Sequence, residues 1–288
     1  RIEKAFHSRR EVTVKRILVI GGGIGGIETI RRLEKRGVDA EIVLIEPKEY
    51  AEVTFGVLRD LASPEVLKRS IRKPLREITG ATHVMGRVSE LREDSVVLES
   101  GLEISFDYAV VATGSLIRGN DLMKVDECRT VEEREITLEA ERRRLERSQS
   151  ILVIGGGPLG VEASAEFAER YPDKQVTLLQ GPDRLLPALS KGASRKAEKV
   201  LRRLGVELFF GERVISTPGS EGPLETDSGK IFNGDLVLWA AGQVPQTDFA
   251  LARFSESMDD RSRLRVRPDL RLEGSERIFV VGDANNVP

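Results

Sequence analysis

The sequence predicts an α/β protein in which two copies of one βαβ module share a single chain. Three observations carry that expectation. The heptad Ile-Leu-Val-Ile-Gly-Gly-Gly occurs at 17–23 and again, unchanged, at 151–157. At the same spacing Gly26 falls on Gly160 and Glu28 on Glu162. A second match sets the segment ending Ala112-Thr113-Gly114 against the one ending Ala240-Ala241-Gly242. Repetition on this scale marks duplicated supersecondary units. The length of 288 residues agrees, since one domain usually takes about 100–200.

Each copy begins with an apolar, β-branched run, 17–20 or 151–154, directly before glycines, as in a parallel strand buried on both faces. Helical character follows over 24–36, with Gly37 placed to end the helix in a left-handed turn. Its counterpart runs over 158–170, where Pro158 is tolerated in the first turn because that position has no intrahelical N–H partner. Residues 41–45 and 175–179 read as the next strands. The segments 82–106 and 206–234 alternate with turn residues and predict small antiparallel excursions, after which apolar strands run into Gly114 and Gly242.

Composition excludes several classes of function. Hydrophobic residues make up 40% and charged residues 32%, which suits a soluble globular chain. No stretch approaches the roughly 18 apolar residues that span a bilayer. Lys+Arg 45 against Asp+Glu 47 leaves a net charge of −2 and no electrostatic footprint for nucleic acid. One cysteine forms no internal disulfide, and with only two histidines, His7 and His83, no metal site is expected. Residues 1–16 are rich in Lys and Arg and lack a signal-peptide core, so they read as a solvated leader, or the remnant of an organelle-targeting segment, on a chain that is not secreted. The expected setting is intracellular or organellar, with peripheral membrane contact open.

Gly21-x-Gly23-x-x-Gly26 and Gly155-x-Gly157-x-x-Gly160 have dinucleotide-binding spacing, each between a predicted strand and helix. The first glycine permits the tight turn, the second lets backbone approach a pyrophosphate, and the third lets helix pack close to strand. The helix N-terminus then offers free N–H groups and partial positive charge to phosphate. Two Rossmann-like sites follow. Glu46 lies where a carboxylate accepts the hydroxyls of an adenosine ribose, whereas the same place in the second copy holds neutral Gln180. Gln180 would not repel a 2′-phosphate, and Arg184 is a candidate to contact one, the plainer reading being an exposed loop arginine.

These motifs, with Ala241-Gly242-Gln243-Val244-Pro245 and Gly282-Asp283-Ala284, make the chain resemble the two-dinucleotide-domain FAD/NAD(P)H oxidoreductases, the pyridine nucleotide-disulfide oxidoreductase superfamily of glutathione-reductase-like fold. The stretches 50–59, 171–178 and 263–266 are most similar to the apoptosis-inducing-factor-like ferroptosis-suppressor branch, with type II NADH dehydrogenases also close. The missing cysteine pair sets the chain apart from the disulfide reductases.

The resemblance implies a leader (1–16), an FAD domain in two parts (17–115 and 246–288) and an NAD(P)H domain between them (116–245). It places FAD at Gly21, Gly22, Gly23, Ile24, Gly25, Gly26, Glu46, Arg59, Val84, Ala112, Thr113, Gly114, Asp283 and Ala284. NADPH or NADH falls to Gly155, Gly157, Pro158, Gly160, Glu162, Gln180, Arg184 and Gly242. Glu162, in the first turns of its helix, is the candidate catalytic residue near nicotinamide and flavin; the dipole alone also favours a carboxylate there. The family continues past its GDA motif into a third, interface domain, whereas this sequence stops at Pro288, so a fragment or a chain lacking that domain is expected.

The reaction implied passes electrons from NAD(P)H through FAD to an external small-molecule acceptor, a quinone. Alternatives are a flavin-bound redox sensor or apoptosis-type interaction protein with little turnover, and a reductase of a protein acceptor. Oligomeric state stays open. Among weaker features, Arg142, Arg143, Arg144 and Arg147 read as a solvated helix face. Basic residues Lys68, Arg69, Arg72, Lys73 and Arg76 alternate with Leu67, Ile71 and Leu75 at helical spacing, fitting an amphipathic element that packs on the core or lies on an anionic membrane. Cys128 reads as a plain thiol, His83 as structural, and Phe209-Phe210 as core.

Overall fold

A computed structural model describes residues 14–67, 69–120, 122 and 128–287. Most of the leader, with His7, and the basic residue Lys68 lie outside the described residues. The first module opens with β1 (Lys15–Ile20), two residues earlier than the apolar run, then α1 (Ile24–Lys35) and β2 (Ala40–Ile45). A short hairpin-like insertion follows: β3 (Tyr50–Glu52), α2 (Val57–Ala62) and β4 (Arg72–Pro74). Then come β5 (Thr82–Val84), the meander β6 (Val88–Leu91), β7 (Ser95–Leu98) and β8 (Glu103–Ser105), and β9 (Tyr108–Val111).

The chain leaves through β10 (Ser115–Ile117) and builds the second module. Its elements are α3 (Val131–Arg147), β11 (Ser150–Ile154), α4 (Pro158–Arg170), β12 (Gln175–Gln180), α5 (Lys191–Arg203), β13 (Glu207–Phe210), β14 (Leu224–Glu225), β15 (Ile231–Phe232) and β16 (Leu236–Trp239). It returns through β17 (Gln243–Pro245) to α6 (Leu251–Phe254) and β18 (Ile278–Val280).

Two parallel sheets result, ordered β18-β9-β1-β2-β5 and β13-β12-β11-β16. In both, the strand before the glycines is flanked by the strand that follows the helix and by the one that ends in Gly114 or Gly242, so Val19 sits opposite Val110 and Val153 opposite Leu238. Both faces of each sheet are covered. Leu18, Ile20, Val43 and Ile45 pack on one side of the first, and Val19, Leu44 and Ile30 on the other, as the two-residue strand period requires. In the second sheet Ile151 and Val153 pack against Phe167 of α4, while Leu152 and Ile154 meet Trp239.

The chain crosses between sheets twice, and β10 and β17 pair antiparallel there, Leu116 opposite Val244. A second tie is α2, whose Val57, Leu58, Leu61 and Ala62 are buried in the same cluster as Leu138 and Phe167 of the second module.

The alternating segments were only partly antiparallel excursions. Their first strands, β5 and β13, join the main sheets in parallel, beside β2 and β12. The antiparallel pieces are β6-β7-β8 and β14-β15. Phe209 of β13 meets Phe232 edge to face, ring centroids 4.9 Å apart. The described residues of the amphipathic element expected at 67–76 form no α-helix: β4 pairs antiparallel with β3, with Glu52 opposite Arg72, and a single 3-10 turn follows at Leu75–Glu77. Pro74 would break a helix there, and Arg72 turns inward, its side chain 2% exposed between Glu52, Asp60 and Glu135. That removes Arg72 from any membrane-facing surface. Along α3 the arginine run is mixed in character: Arg143 is exposed, while Arg142 reaches Glu139 (2.6 Å) and the Asp60 carbonyl (3.2 Å).

In the loops of the second module, Glu212 is buried and accepts from Thr226 Oγ1 (2.7 Å), Ser228 Oγ (2.7 Å) and Lys230 Nζ (2.5 Å). The Lys230 bond first, then those of the two hydroxyls, hold its pKa down at about 2. A carboxylate whose pKa is lower folded than unfolded stabilises the fold above its ordinary range and loses that contribution as pH falls towards 2. Glu212→Gln is therefore expected to be less stable than the parent at neutral pH, with the gap closing as pH drops from about 4.5 to about 2. Denaturant melts across that window check it; a gap unchanged at low pH would contradict the assignment.

Candidate functional site

Each glycine loop has the same local construction. Gly21 adopts φ +105° and Gly155 φ +107°. The Gly21 N–H donates to the Ile45 carbonyl (2.9 Å) and the Gly155 N–H to that of Leu179 (2.8 Å), which turns the chain back over the sheet. A Cβ at Gly26 would stand 1.9 Å from the Gly21 carbonyl oxygen, and one at Gly160 would stand 1.8 Å from that of Gly155. Only glycine lets helix and strand approach this closely.

At Gly23 and Gly157, by contrast, a Cβ would meet nothing within 4 Å. Both cap their helices without a side-chain hydrogen bond, and neither helix has an acidic residue in its first turn. The free N–H groups and positive dipole ends thus open onto unfilled space, a cradle for phosphate.

One cleft of about 1210 Å³ takes in both cradles. Gly21–Gly25, Glu46, Ala112–Ser115 and Asp283 line it from the first module, and Gly157–Leu159, Glu162 and Ala240–Gln243 from the second. Ordinary small-molecule pockets reach roughly 1,000 Å³, so this one has room for more than a mononucleotide. The donor set fits a dinucleotide at each loop. Glu162 projects from α4 into the cleft and is exposed.

Glu46 and Gln180 do the same structural work. The Gly22 N–H donates to Glu46 Oε2 (2.6 Å) and the Gly156 N–H to Gln180 Oε1 (2.7 Å). Glu46 also accepts from the Lys48 N–H (3.2 Å) and faces the cleft. Gln180 does not line it; its Nε2 donates to the Arg184 carbonyl (2.9 Å). The Arg184 guanidinium is turned into its own loop, on the carbonyls of Leu186 (3.3 Å), Leu189 (3.1 Å) and Pro187.

Other expected residues fall nearby or elsewhere. Gly26, Gly155 and Gly160 shape the loops from beneath, and Ala284 is buried behind Asp283. Val84 is buried and its carbonyl accepts the Glu46 N–H (3.3 Å), while the next residues, Gly86–Ser89, reach the cleft. Arg59 is not brought to the cleft: on α2 it pairs with Glu166 of α4, Nε to Oε1 3.0 Å, which also raises its pKa. His83 Nε2 meets the Glu46 carbonyl at 2.9 Å, and Cys128 is buried with Sγ 3.2 Å from Thr137 Oγ1.

Two groups went unread in the sequence. One is the buried ionic cluster of Glu52, Asp60, Arg72 and Arg134, where Arg134 reaches Glu52 Oε1 at 3.0 Å; its members are scattered along the chain, and no local pattern joins them. The other is Ser115 with Gln243, which the repeat itself aligns.

With the fold and cleft in view, comparison with known proteins defines the class. The family model for pyridine nucleotide-disulphide oxidoreductases matches residues 15–288. The chain belongs to that family, whose members depend on FAD and NAD(P)H. It is 24% identical to apoptosis-inducing factor homolog B of Dictyostelium discoideum, over 94% of this chain and 75% of that one. It is 27% identical to human ferroptosis suppressor protein 1, over 94% of this chain and 74% of the relative. Among solved structures, the water-forming NADH oxidase from Lactobacillus brevis superposes with a TM-score of 0.72 at 21% identity, covering 94% of this chain and 63% of the oxidase. That last likeness concerns the fold alone, and this chain spans less than two thirds of the oxidase's length. No helix among the described residues is long and apolar enough to cross a membrane.

Proposed function

We propose that the chain binds FAD at the first glycine loop and NADPH or NADH at the second, and passes electrons from NAD(P)H through FAD to a quinone. The observation that carries this reading is the single cleft lined by both phosphate cradles together with Ala112–Ser115 and Asp283. When bound, FAD supplies the two-electron chemistry. The protein's share is placement. Gly23–Gly25 and the α1 N-terminus hold the flavin pyrophosphate, Glu46 the adenosine ribose, and Asp283 the ribityl chain. Gly157 and Pro158 hold the second pyrophosphate, and Glu162 stands beside the reacting rings.

For the acceptor, Phe55 is 79% exposed and lines the same cleft. Its turn is held by the Gly56 N–H on the Val53 carbonyl (2.9 Å) and the Val53 N–H on the Ile71 carbonyl (2.8 Å). An aromatic side chain held out at the rim suits a flat, apolar acceptor such as a quinone. Steady-state oxidation of NADPH with a short-chain quinone tests this; an oxidation rate that no quinone raises would contradict it.

NADPH is proposed as at least the equal of NADH, because the second loop carries Gln180 where the first carries Glu46. Gln180→Glu is expected to lower the kcat/KM ratio for NADPH over NADH about tenfold, by adding a negative charge near the 2′-phosphate. The variant should also melt lower, since a carboxylate cannot donate to the Arg184 carbonyl as Gln180 Nε2 does at 2.9 Å. An unmoved ratio alongside a lower melting temperature would confine residue 180 to holding its loop.

A further inference from the structure

The two β10–β17 crossovers bring equivalent residues of the repeat together. Ser115 follows Gly114 as Gln243 follows Gly242. Gln243 Nε2 donates to Ser115 Oγ (2.7 Å), and Ser115 Oγ donates to Asp283 Oδ2 (2.7 Å). The direction of this relay is fixed by chemistry. An amide nitrogen can only donate and a carboxylate can only accept, so the serine proton must point at Asp283. Ser115 is 2% exposed, whereas Gln243 and Asp283 are exposed, so the relay runs along the cleft wall with only its middle member buried.

The residues just before the far end of the relay rest on the second glycine loop. The Ala240 N–H donates to the Ile154 carbonyl (2.8 Å), and a Cβ at Gly155 would come within 2.7 Å of Ala241 Cβ. Ala240 and Ala241 therefore pack against the turn that opens the second cradle, and residues 240–243 line the cleft together with Gly157. A nucleotide that presses on this stretch also presses on the amide that orients Ser115.

The geometry points to Ser115 and Gln243 as positioning residues that set the Asp283 carboxylate and couple occupancy of the second nucleotide site to flavin affinity. This rests on the proposal that FAD lies along Asp283. Oxidised NADP⁺, which cannot reduce the flavin, presses on residues 240–243 and tightens the relay. The coupling is reciprocal, so flavin strengthens NADP⁺ binding by the same factor.

The test is flavin release from the purified flavoprotein, followed by the fluorescence of free flavin with and without saturating NADP⁺. In the parent, NADP⁺ is expected to slow release about fivefold. Ser115→Ala removes a hydrogen bond to a charged group and should speed release about tenfold or more while losing the NADP⁺ response. Gln243→Leu should lose the response as well. Gln243→Leu added to Ser115→Ala should change little further, since both act through one chain. A parent whose release ignores NADP⁺, or a Gln243→Leu protein that keeps the parent's response, overturns the relay. A chain that takes up no FAD at all overturns the functional proposal and the relay with it.

Discussion

Gly26→Ala is expected to yield no folded flavoprotein, whereas Gly23→Ala should fold and purify without its flavin. The two glycines lie three residues apart and differ in what a methyl group would meet. At Gly26 it would stand 1.9 Å from the Gly21 carbonyl oxygen, so α1 and β1 would have to separate. At Gly23 it would meet nothing within 4 Å, and the backbone there has φ −72°, open to any residue. The Gly23 methyl would instead fill the space above the helix N-terminus that a pyrophosphate needs. Circular dichroism with bound-flavin absorption separates the outcomes. Native-like ellipticity without flavin is expected for Gly23→Ala, and full flavin retention would show that the first cradle does not hold it. The second loop supplies a parallel: Gly157→Ala should raise the KM for NAD(P)H while leaving flavin bound.

Arg72→Met is expected to cost about 3–5 kcal/mol of stability, as removing one partner of a buried ion pair does. For a domain of this size that corresponds to a fall in Tm on the order of 10 °C. Arg72 Nε, NH1 and NH2 meet Glu52 (2.7 Å), Glu135 (2.7 Å) and Asp60 (2.6 Å), so methionine leaves Asp60 and Glu135 without their nearest cation and Glu52 with Arg134 alone. The side chains of Glu52 and Asp60 are 4% and 11% exposed, which leaves their repulsion poorly screened. Adding Asp60→Asn should recover part of the loss, because Asp60 is the buried carboxylate left without a close cation, Arg142 standing 3.9 Å away. Thermal melts of the three proteins check this. An Arg72→Met protein as stable as the parent would mean that the cluster is held together by its packing alone.

The sequence announced the repeat and the positions that depend on backbone geometry, because glycine is the one residue type that tolerates them. Gly37 does end α1 at φ +61°, and α4 does start at Pro158. The first strand begins at Lys15 rather than Ile17, since pairing with Ala40 extends the ladder beyond the apolar run. Side-chain destinations were harder to read. The charges at 67–76 looked like one face of a surface helix, yet Arg72 is among the most deeply buried polar residues, its acidic partners supplied by β3, α2 and α3.

Arg59 illustrates the same limit. Its place in the motif pointed to the flavin, while the packing of α2 on α4 delivers it to Glu166. The Glu46–Gln180 contrast was visible as a difference of charge. The internal bond each makes to a loop N–H was not, because it depends on the close approach of strand end and turn. The pairing of Ser115 with Gln243 could have been found, since each follows the last glycine of its own copy.

The central claim is that one cleft brings NAD(P)H and FAD together, and anaerobic addition of NADPH to the FAD-loaded protein tests it most directly. The account predicts that the visible flavin absorption bleaches within the dead time or shortly after, and returns when a soluble quinone is added. A protein that takes up no FAD, or one whose bound flavin stays oxidised under excess NADPH and NADH alike, would contradict it.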